Sequence, residues 1–253
     1  MVDAMTDLIS QLPALTAAFL LAGLVKGVTG LGLPTVGIGL LSLVMPPAQA
    51  AALVIVPSLV TNVWQMVCGP ALRPLVRRLW PMLAGLCLGT SAAAGLLAGD
   101  DAGIASAALG CALLLYAAFG LSPVRLPRVA PQAERWLGPA AGTATGLVTA
   151  ATGVFVLPAV PYLQALGLER DQLVQALGLS FTVSTLALAA SLAGSGTLGA
   201  GLAGSSLLAL LPALAGMAAG QWIRRVLRPD LFRRLFFLGL LLLGAHLALR
   251  GLL

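Results

Sequence analysis

Long apolar runs follow one another along the chain, separated by short stretches that contain polar residues, glycine or proline. A helix needs about 20 apolar residues to cross a lipid bilayer, with a working range of about 17 to 25. The pattern therefore predicts an all-α integral membrane protein with about ten transmembrane segments. The predicted segments are Leu8–Val28, Leu33–Met45, Ala48–Cys68, Trp80–Ala98, Gly103–Leu121, Leu137–Ala151, Val154–Leu166, Gln172–Ala193, Leu198–Trp222 and Leu235–Leu249.

The composition of the 253 residues agrees with a membrane location. Only 9% are charged and 59% are hydrophobic, and the mean hydropathy is +1.02. Soluble domains carry about 25% charged residues, so this chain cannot cover a water-facing surface. A soluble enzyme, a nucleic-acid binder and a secreted disulfide scaffold are excluded, and the lipid bilayer is the expected surrounding.

The formal net charge of +6 comes from arginines that are concentrated between apolar runs. Short cytoplasmic loops of membrane proteins retain Arg and Lys, so this distribution indicates topology rather than a nucleic-acid surface. The three clusters are Arg73, Arg77 and Arg78; Arg125, Arg128 and Arg135; and Arg224, Arg225, Arg228, Arg233 and Arg234.

Placing all three clusters in the cytoplasm puts both termini outside, together with Asp100 and Asp101. This assignment requires both short segments, Leu33–Met45 and Val154–Leu166, to cross the membrane, alone or as paired half-helices. A re-entrant pair, obtained by dropping one segment, is the alternative.

The chain contains an internal repeat. Gly23–Gly30 (Gly-Leu-Val-Lys-Gly-Val-Thr-Gly) and Gly146–Gly153 (Gly-Leu-Val-Thr-Ala-Ala-Thr-Gly) are identical at five of eight positions and offset by 123 residues. Each copy precedes a proline, a short apolar segment, a polar turn and a long helix. Five segments per half is an odd number, so the halves enter the membrane from opposite sides. The sequence predicts an inverted 5+5 repeat: residues 1–122, a basic cytoplasmic linker at 123–136, and residues 137–253.

The repeated glycine turns are the first candidate site. In inverted-repeat transporters, broken helices from the two halves meet near the membrane midplane and bind substrate. Thr29, Gly30 and Gly32 form the first turn, and Thr152 and Gly153 form the second. A short helix that starts after each turn would direct its free N–H groups and positive dipole end toward an anion.

Glycines also permit close helix packing without any binding role. Four pairs of glycines spaced four residues apart are typical of that use. They are Gly23 and Gly27, Gly85 and Gly89, Gly142 and Gly146, and Gly216 and Gly220.

Lys26 is the only lysine in the chain, and Thr149 occupies the matching position of the second copy. A charge at the centre of a membrane helix costs about 2.5–3.5 kcal/mol on insertion scales and indicates a functional residue. Lys26 is therefore a candidate substrate or counter-charge group. Its position near the end of the first segment leaves open the alternative that the side chain snorkels to the membrane surface.

Polar side chains on two long predicted helices form a second candidate group. Those of the first half recur at three- and four-residue spacing and share one helix face. Hydrogen bonding between helices is the alternative to lining a cavity. The first set is Ser58, Thr61, Asn62 and Gln65, and the second is Gln175, Ser180, Thr182 and Ser184. The substrate-binding candidates chosen from all groups are Lys26, Thr29, Gly30, Gly32, Asn62, Gln65, Thr149, Thr152, Gly153, Ser180 and Ser184.

Several chemistries have no sequence signal. No Asp or Glu lies within a predicted span, and neither a Walker motif nor a metal-binding cluster of His, Cys and carboxylates is present. No paired nucleophile and base indicates a hydrolase. We therefore expect no cofactor, no metal and no enzymatic activity, and a secondary rather than an ATP-driven transporter.

The residues around the first turn carry a resemblance to a known family. A glycine-rich turn, Gly27–Gly32, precedes Pro34, a short helix and the Pro-Pro-Ala-Gln-Ala-Ala stretch Pro46–Ala51. The second half repeats this layout from Thr152 to Pro158 and over Leu168–Ala176. The chain resembles the TauE/SafE family of sulfite exporters and related membrane permeases, although Phe155 stands where the first half has Gly32.

The resemblance implies transport of a small anion such as sulfite, sulfoacetate or thiosulfate across the bacterial inner membrane. The residues alone do not select sulfur chemistry. They favour an alternating-access carrier for a small anion. A passive anion channel and a non-transporting membrane scaffold stay open as alternatives, as does a homo-oligomer.

Overall fold

The computed structural model describes residues 2–99, 101–123, 126–198, 200–224 and 229–252, and all their side chains except those of 2–11, 200–203, 229 and 230. These residues form eleven α-helices and no strand. The charged residues Asp100, Arg125, Arg225 and Arg228 lie outside the described residues. The helices are α1 (Val2–Thr29), α2 (Leu33–Leu41), α3 (Pro47–Val67), α4 (Leu72–Ala92), α5 (Ala102–Leu121), α6 (Pro131–Thr152), α7 (Ala159–Ala165), α8 (Arg170–Gly194), α9 (Ala200–Leu208), α10 (Leu210–Ile223) and α11 (Pro229–Leu252).

Among the described residues, six stretches are long and apolar enough to cross a membrane: Leu12–Thr29, Pro47–Val67, Ala102–Leu121, Arg170–Gly194, Gly204–Ile223 and Leu231–Leu252. The predicted all-α class is confirmed for the described residues. Helix α6 begins at Pro131, so the end of the predicted linker 123–136 is helical.

The two short segments are partial helices. Helix α2 has nine residues, and at about 1.5 Å per residue it covers less than half of a hydrocarbon core about 30 Å thick. Helix α7 has seven residues. The prediction of an apolar helix from Val154 onward is wrong, because residues 154–158 are not helical. Gly153 ends α6 in the left-handed conformation, and the β-branched Val154 and Val156 favour extended backbone.

Two other predicted segments are interrupted. Helix α4 ends at Ala92, short of the predicted Ala98, and Gly95 adopts a positive φ of 91° in the turns that follow. The predicted segment Leu198–Trp222 is divided between α9 and α10. Pro212 lies in the first turn of α10, where its ring and missing N–H prevent continuation from the preceding helix.

Glycine faces hold two helix pairs in very close contact. In the α1–α10 pair, a Cβ on Gly216 would lie 2.1 Å from the carbonyl oxygen of Leu20. In the α4–α6 pair, a Cβ on Gly142 would lie 1.9 Å from the carbonyl oxygen of Met82. All eight glycines of the four predicted packing pairs meet backbone atoms of the partner helix in this way. Helices α5 and α11 form a third pair, and α3 packs against α8.

The helix ends divide the molecule into two faces. Helices α3 and α10 end, and α4, α6 and α8 begin, at one face, which we call the arginine-rich end. Arg78 at the start of α4 makes a two-pronged ion pair with Glu134 of α6, with a shortest distance of 2.6 Å between Nη2 and Oε1. This hydrogen bond raises the pKa of Arg78 above its ordinary value. The opposite end contains Arg250, which donates to the carbonyl oxygen of Leu43.

Candidate functional site

The first repeated turn breaks the chain between α1 and α2. Thr29 Oγ1 donates to the carbonyl oxygen of Val25 at 2.8 Å and accepts from the N–H of Leu31 at 3.1 Å. Gly30 follows with a φ of 77°, a conformation that L side chains rarely adopt. The threonine hydroxyl thus ends the helix, and glycine reverses the chain.

The second repeated turn has the same local construction. Thr152 Oγ1 donates to the carbonyl oxygen of Val148 at 2.7 Å and accepts from the N–H of Val154 at 3.1 Å. Gly153 has a φ of 71°. The Thr-Gly dipeptide therefore produces one backbone geometry twice, 123 residues apart.

The surroundings of the two glycines differ completely. A Cβ on Gly30 would meet no atom within 4 Å. A Cβ on Gly153 would lie 2.9 Å from Ile38 Cδ1 and 3.5 Å from both Ala51 Cβ and Leu97 Cδ2. The first turn faces open space, whereas the second is packed on several sides.

Two adjoining cavities open at the first turn, with volumes of about 480 and 340 Å³. Gly30, Val174 and Arg224 line both of them, and we call the combined space the arginine vestibule. The remaining polar lining residues come from several helices. They include Thr29, Gln164, Arg170 and Arg233 around the larger cavity, and Lys26, Thr61, Gln65, Asp171, Gln175 and Gln221 around the smaller one.

Lys26 is held inside the bundle at the wall of the smaller cavity. Its side chain is only 4% exposed, and Nζ donates to Oδ1 of Asn62 on α3. Among the described residues the one ion pair is Arg78–Glu134, so no carboxylate lies within ion-pair distance of Lys26, although Asp171 lines the same cavity. The Lys26 side chain points toward Asn62 inside the bundle, whereas a snorkelling lysine would extend toward the membrane surface.

The hydrogen bonds continue from Asn62 into the second half of the chain. Asn62 Nδ2 donates to Thr185 Oγ1 at 3.4 Å, and Thr185 Oγ1 donates to the carbonyl oxygen of Phe181 at 2.7 Å. Asn62 and Thr185 are 123 residues apart and so occupy matching positions of the two repeat copies. The two copies therefore meet at this contact between α3 and α8.

A family comparison covers nearly all of this architecture. The sequence model of the sulfite exporter TauE/SafE family matches residues 15–247. The chain belongs to the TauE/SafE family. This confirms the predicted resemblance, and the family together with the apolar helices makes the chain a multi-pass membrane transporter. No curated protein and no solved structure matches the chain.

In this TauE/SafE protein all candidate residues of the first half except Gly32 converge on the arginine vestibule. Lys26, Thr29, Gly30 and Gln65 line it, and Asn62 is joined to it through Lys26. The Gln65 side-chain amide also donates to the carbonyl oxygen of Val174 at 2.9 Å.

The other candidate residues lie away from the vestibule. Gly32 faces Val25 and Phe236. Five candidates of the second half lie in packed surroundings and line neither of its cavities: Thr149, Thr152, Gly153, Ser180 and Ser184. The structure thus gathers the two sets at different places rather than around one point.

One polar residue of the second group joins helices. Gln175 Nε2 donates to the carbonyl oxygens of Met66 and Gly69, and its Oε1 accepts from the N–H of Ala71 at 2.7 Å. These contacts connect the end of α3 to the start of α4. Gln175 therefore joins these elements by hydrogen bonds, and it also lines the smaller cavity.

Sequence reasoning missed the arginines of the TauE/SafE vestibule. Arg170, Arg224 and Arg233 line the larger cavity, whereas the charge clusters indicated only topology.

A second internal sequence repeat could have indicated that the helices packed against α1 and α6 correspond to each other. Pro81–Gly89 and Pro212–Gly220 share the pattern Pro-x-Leu-Ala-Gly-x-x-x-Gly at an offset of 131 residues, and they lie in α4 and α10, the partners of α6 and α1.

Proposed function

We propose that this protein is a secondary transporter that carries a small anion, of the sulfur oxyanion or organosulfonate class, across the bacterial inner membrane by alternating access. The arginine vestibule is the binding site open in this conformation. The observation that carries the proposal is the buried Lys26, which faces this space beside the open Gly30 turn and has no carboxylate partner among the described residues.

The charge of Lys26 needs an anion. A buried ammonium group is costly unless it is paired and hydrogen-bonded. Lysine has three N–H donors, and the described residues supply one acceptor, Asn62 Oδ1. An oxyanion in the smaller cavity supplies both the opposite charge and acceptors for the remaining donors. Substrate binding would thus stabilise a charge that forms no ion pair with the described residues.

The rest of the vestibule favours the same ligand class. Three arginines, Arg170, Arg224 and Arg233, line the larger cavity and attract anions toward it. Helix α2 begins three residues after Gly30 and has no side-chain cap, so the positive end of its dipole lies at the turn. Guanidinium groups bind planar or tetrahedral oxyanions through two parallel hydrogen bonds.

Internal correspondence supports a ten-segment inverted repeat. The Thr-Gly turns share one geometry, and α1 packs against α10 as α6 packs against α4, with partners exchanged between the halves. Asn62 meets its own counterpart, Thr185. Transporters built this way move one repeat against the other around a central site. The arginine-rich end is proposed as the cytoplasmic face under the positive-inside rule, which places both termini outside.

The test is anion uptake into proteoliposomes that contain the full chain. Labelled sulfite, thiosulfate, sulfoacetate and simple carboxylates are compared, with and without unlabelled anion preloaded inside, and with protein-free liposomes as the control. We expect saturable uptake of at least one anion, accelerated by preloading. Linear uptake without acceleration would instead identify a channel, and the absence of flux for every anion would contradict the proposal.

A further inference from the structure

A small closed space lies beside the Gly153 turn, between α2, α3 and α8. It has no volume that a water molecule could enter. Its lining residues are largely buried and come from both halves of the chain: Pro34, Ile38, Ala51, Val54, Ile55, Ser58, Phe155, Thr185 and Leu188. Two of them, Ile38 and Ala51, are among the three residues that approach Gly153.

Two of the nine residues that line this closed space correspond to residues that line the arginine vestibule. Ala51 and Leu188 line the closed space, and their counterparts at an offset of 123 residues, Val174 and Gln65, line the vestibule. Gly153 adjoins the first space as Gly30 adjoins the second. Two matching helix positions and the matching turn glycines thus border an open cavity in one half and a collapsed one in the other.

Buried hydroxyl groups indicate that the collapsed state is not the only one. Ser58 lines the closed space, is 1% exposed, and its Oγ has no hydrogen-bond partner. Ser184 Oγ is also buried without a partner, and its counterpart Thr61 lines the vestibule. Buried polar groups normally find partners, and leaving one unpaired costs about 1–3 kcal/mol. A conformation that admits water or an anion would supply those partners.

We infer that the closed space is the collapsed form of a second anion vestibule, which opens to the membrane face opposite the arginine-rich end. Its floor is the Gly153 turn, and Ala51, Ser58, Ser184 and Leu188 line it when it opens. This inference rests on the proposed function and adds the second access site. None of the described residues around the closed space is cationic, so the second vestibule binds the anion less tightly than the first.

The connection between α4 and α5 seals this second vestibule. The N–H of Leu97 donates to the carbonyl oxygen of Ala150 at 3.0 Å. The Leu97 side chain is 3% exposed, and its Cδ2 lies 3.5 Å from the Cβ position of Gly153. The Leu97 side chain therefore blocks the space above the turn, and opening requires it to move.

Opening does not involve sliding within the glycine-packed helix pairs. Gly23 faces the carbonyl of Ala213. At the offset of 131 residues between α4 and α10, the counterpart of Ala213 is Met82. Gly146, the counterpart of Gly23, instead faces the carbonyl of Leu86, which lies one helical turn beyond Met82. Giving the first pair the register of the second would bring Phe19, the counterpart of Gly142, against the backbone of α10. Each pair therefore moves as one body.

The experiment measures from which membrane face two cysteines react. The described cysteines, Cys68, Cys87 and Cys111, are free and exposed, and Cys68 lines the arginine vestibule. One variant keeps Cys68 alone, with the other two changed to alanine. The second replaces all three with alanine and carries Leu188→Cys. Inside-out and right-side-out membrane vesicles are treated with a membrane-impermeant maleimide that carries a quaternary ammonium group, without added anion.

We expect Cys68 to react in one vesicle orientation and Leu188→Cys to react slowly in the other. Adding Leu97→Ala should raise the rate of maleimide labelling at Leu188→Cys at least tenfold from that same face. It should also lower the labelling rate at Cys68, because only one of the two vestibules is open at a time. Leu109→Ala, which alters a fully buried leucine of α5, is the control and should change neither rate in this direction.

Reaction of Leu188→Cys from the same face as Cys68 would overturn the inference. So would an unreactive Leu188→Cys after Leu97→Ala, or a parallel rise at both cysteines, which indicates general loosening. The labelling needs no anion, so it is independent of the flux test. Opposed labelling without flux would contradict the proposed function alone, and flux without opposed labelling would contradict the second vestibule alone.

Discussion

The two Thr-Gly turns share a backbone geometry and differ in everything around it. Gly30 opens onto the arginine vestibule, whereas Gly153 is packed by Ile38, Ala51 and Leu97. One cause is local: Gly32 follows the first turn, and the bulky Phe155 takes that position after the second. The Phe155 ring is buried against Phe181, with 5.4 Å between ring centroids. A repeated motif thus fixes a chain reversal, and the neighbouring side chains decide whether it faces a cavity.

Charge is the second difference between the two turns. Lys26 lies one helical turn before Gly30, and its counterpart Thr149 is neutral, with Oγ1 donating to the carbonyl oxygen of Thr145 at 2.7 Å. Among the described residues, three arginines line the vestibule at the first turn, whereas the closed space beside the second has no cation. This asymmetry in charge is the reason why we propose tighter anion binding on the arginine-rich side.

The largest predicted effect comes from removing the charge of Lys26. Lys26→Met should reduce initial anion uptake at subsaturating concentration by about 30-fold or more. Losing one partner of a buried charge pair costs about 2 kcal/mol or more, and each 1.4 kcal/mol is about tenfold in affinity. Uptake into proteoliposomes measures the effect for whichever anion the substrate screen identifies.

Two controls define the Lys26 result. Lys26→Arg keeps the charge and should retain much more uptake than Lys26→Met. Arg250→Met removes a cation at the opposite end, where the side chain binds the carbonyl of Leu43, and should transport like the native protein. Uptake by Lys26→Met at the native rate would contradict the assignment of Lys26 to the binding site.

The next effect concerns the helix pairs that carry the two turns. Gly216→Ala in the α1–α10 pair and Gly85→Ala in the α4–α6 pair would place Cβ atoms 2.1 and 2.5 Å from backbone carbonyl oxygens. Overpacking of this kind costs about 1–3 kcal/mol. Both variants should therefore melt at lower temperature in detergent, by at least about 2 °C.

A glycine without close neighbours is the control for this pair. A Cβ on Gly239 of α11 would meet no atom within 4 Å. Gly239→Ala should keep or raise Tm, because alanine is the better helix former by about 1 kcal/mol. Unchanged Tm values for both Gly216→Ala and Gly85→Ala would show that the close backbone approach is not what holds the pairs.

The helical class and the Thr-Gly turns could be predicted from the sequence because they depend on residues close together in the chain. The hydrogen bond between Lys26 and Asn62 joins residues of two different helices, so spacing within either helix does not reveal it. The same holds for Arg170 and Arg224, which reach one cavity only after α8 and α10 have packed. Tertiary packing, not local pattern, places these groups.

A smaller effect separates the two turn glycines directly. Gly30→Ala and Gly153→Ala share the cost of a left-handed alanine, about 1–2 kcal/mol. Gly153→Ala also brings Cβ to 2.9 Å from Ile38 Cδ1, whereas Gly30→Ala meets nothing. Gly153→Ala should therefore lower Tm more than Gly30→Ala does.

The double variant Gly153→Ala with Ile38→Val sharpens this comparison, because Ile38→Val removes the Cδ1 atom that clashes. In the Ile38→Val background, the Tm of each alanine variant is compared with that of the protein that keeps both glycines. The amount by which Gly153→Ala lowers Tm more than Gly30→Ala does should be smaller there than in the native background. Equal Tm losses for Gly30→Ala and Gly153→Ala in the native background would contradict the packed surroundings of the second turn.

The smallest predicted effect concerns the ion pair between Arg78 and Glu134, which holds the α4–α6 pair together at the arginine-rich end. The two side chains are 38% and 17% exposed, and exposed pairs contribute about 0.2–1 kcal/mol. Glu134→Gln should lower Tm slightly at low ionic strength. The loss should disappear in 1 M NaCl, where the Debye length is about 3 Å. A loss that persists at high salt would mean that Glu134 holds α4 and α6 together by hydrogen bonding rather than by charge.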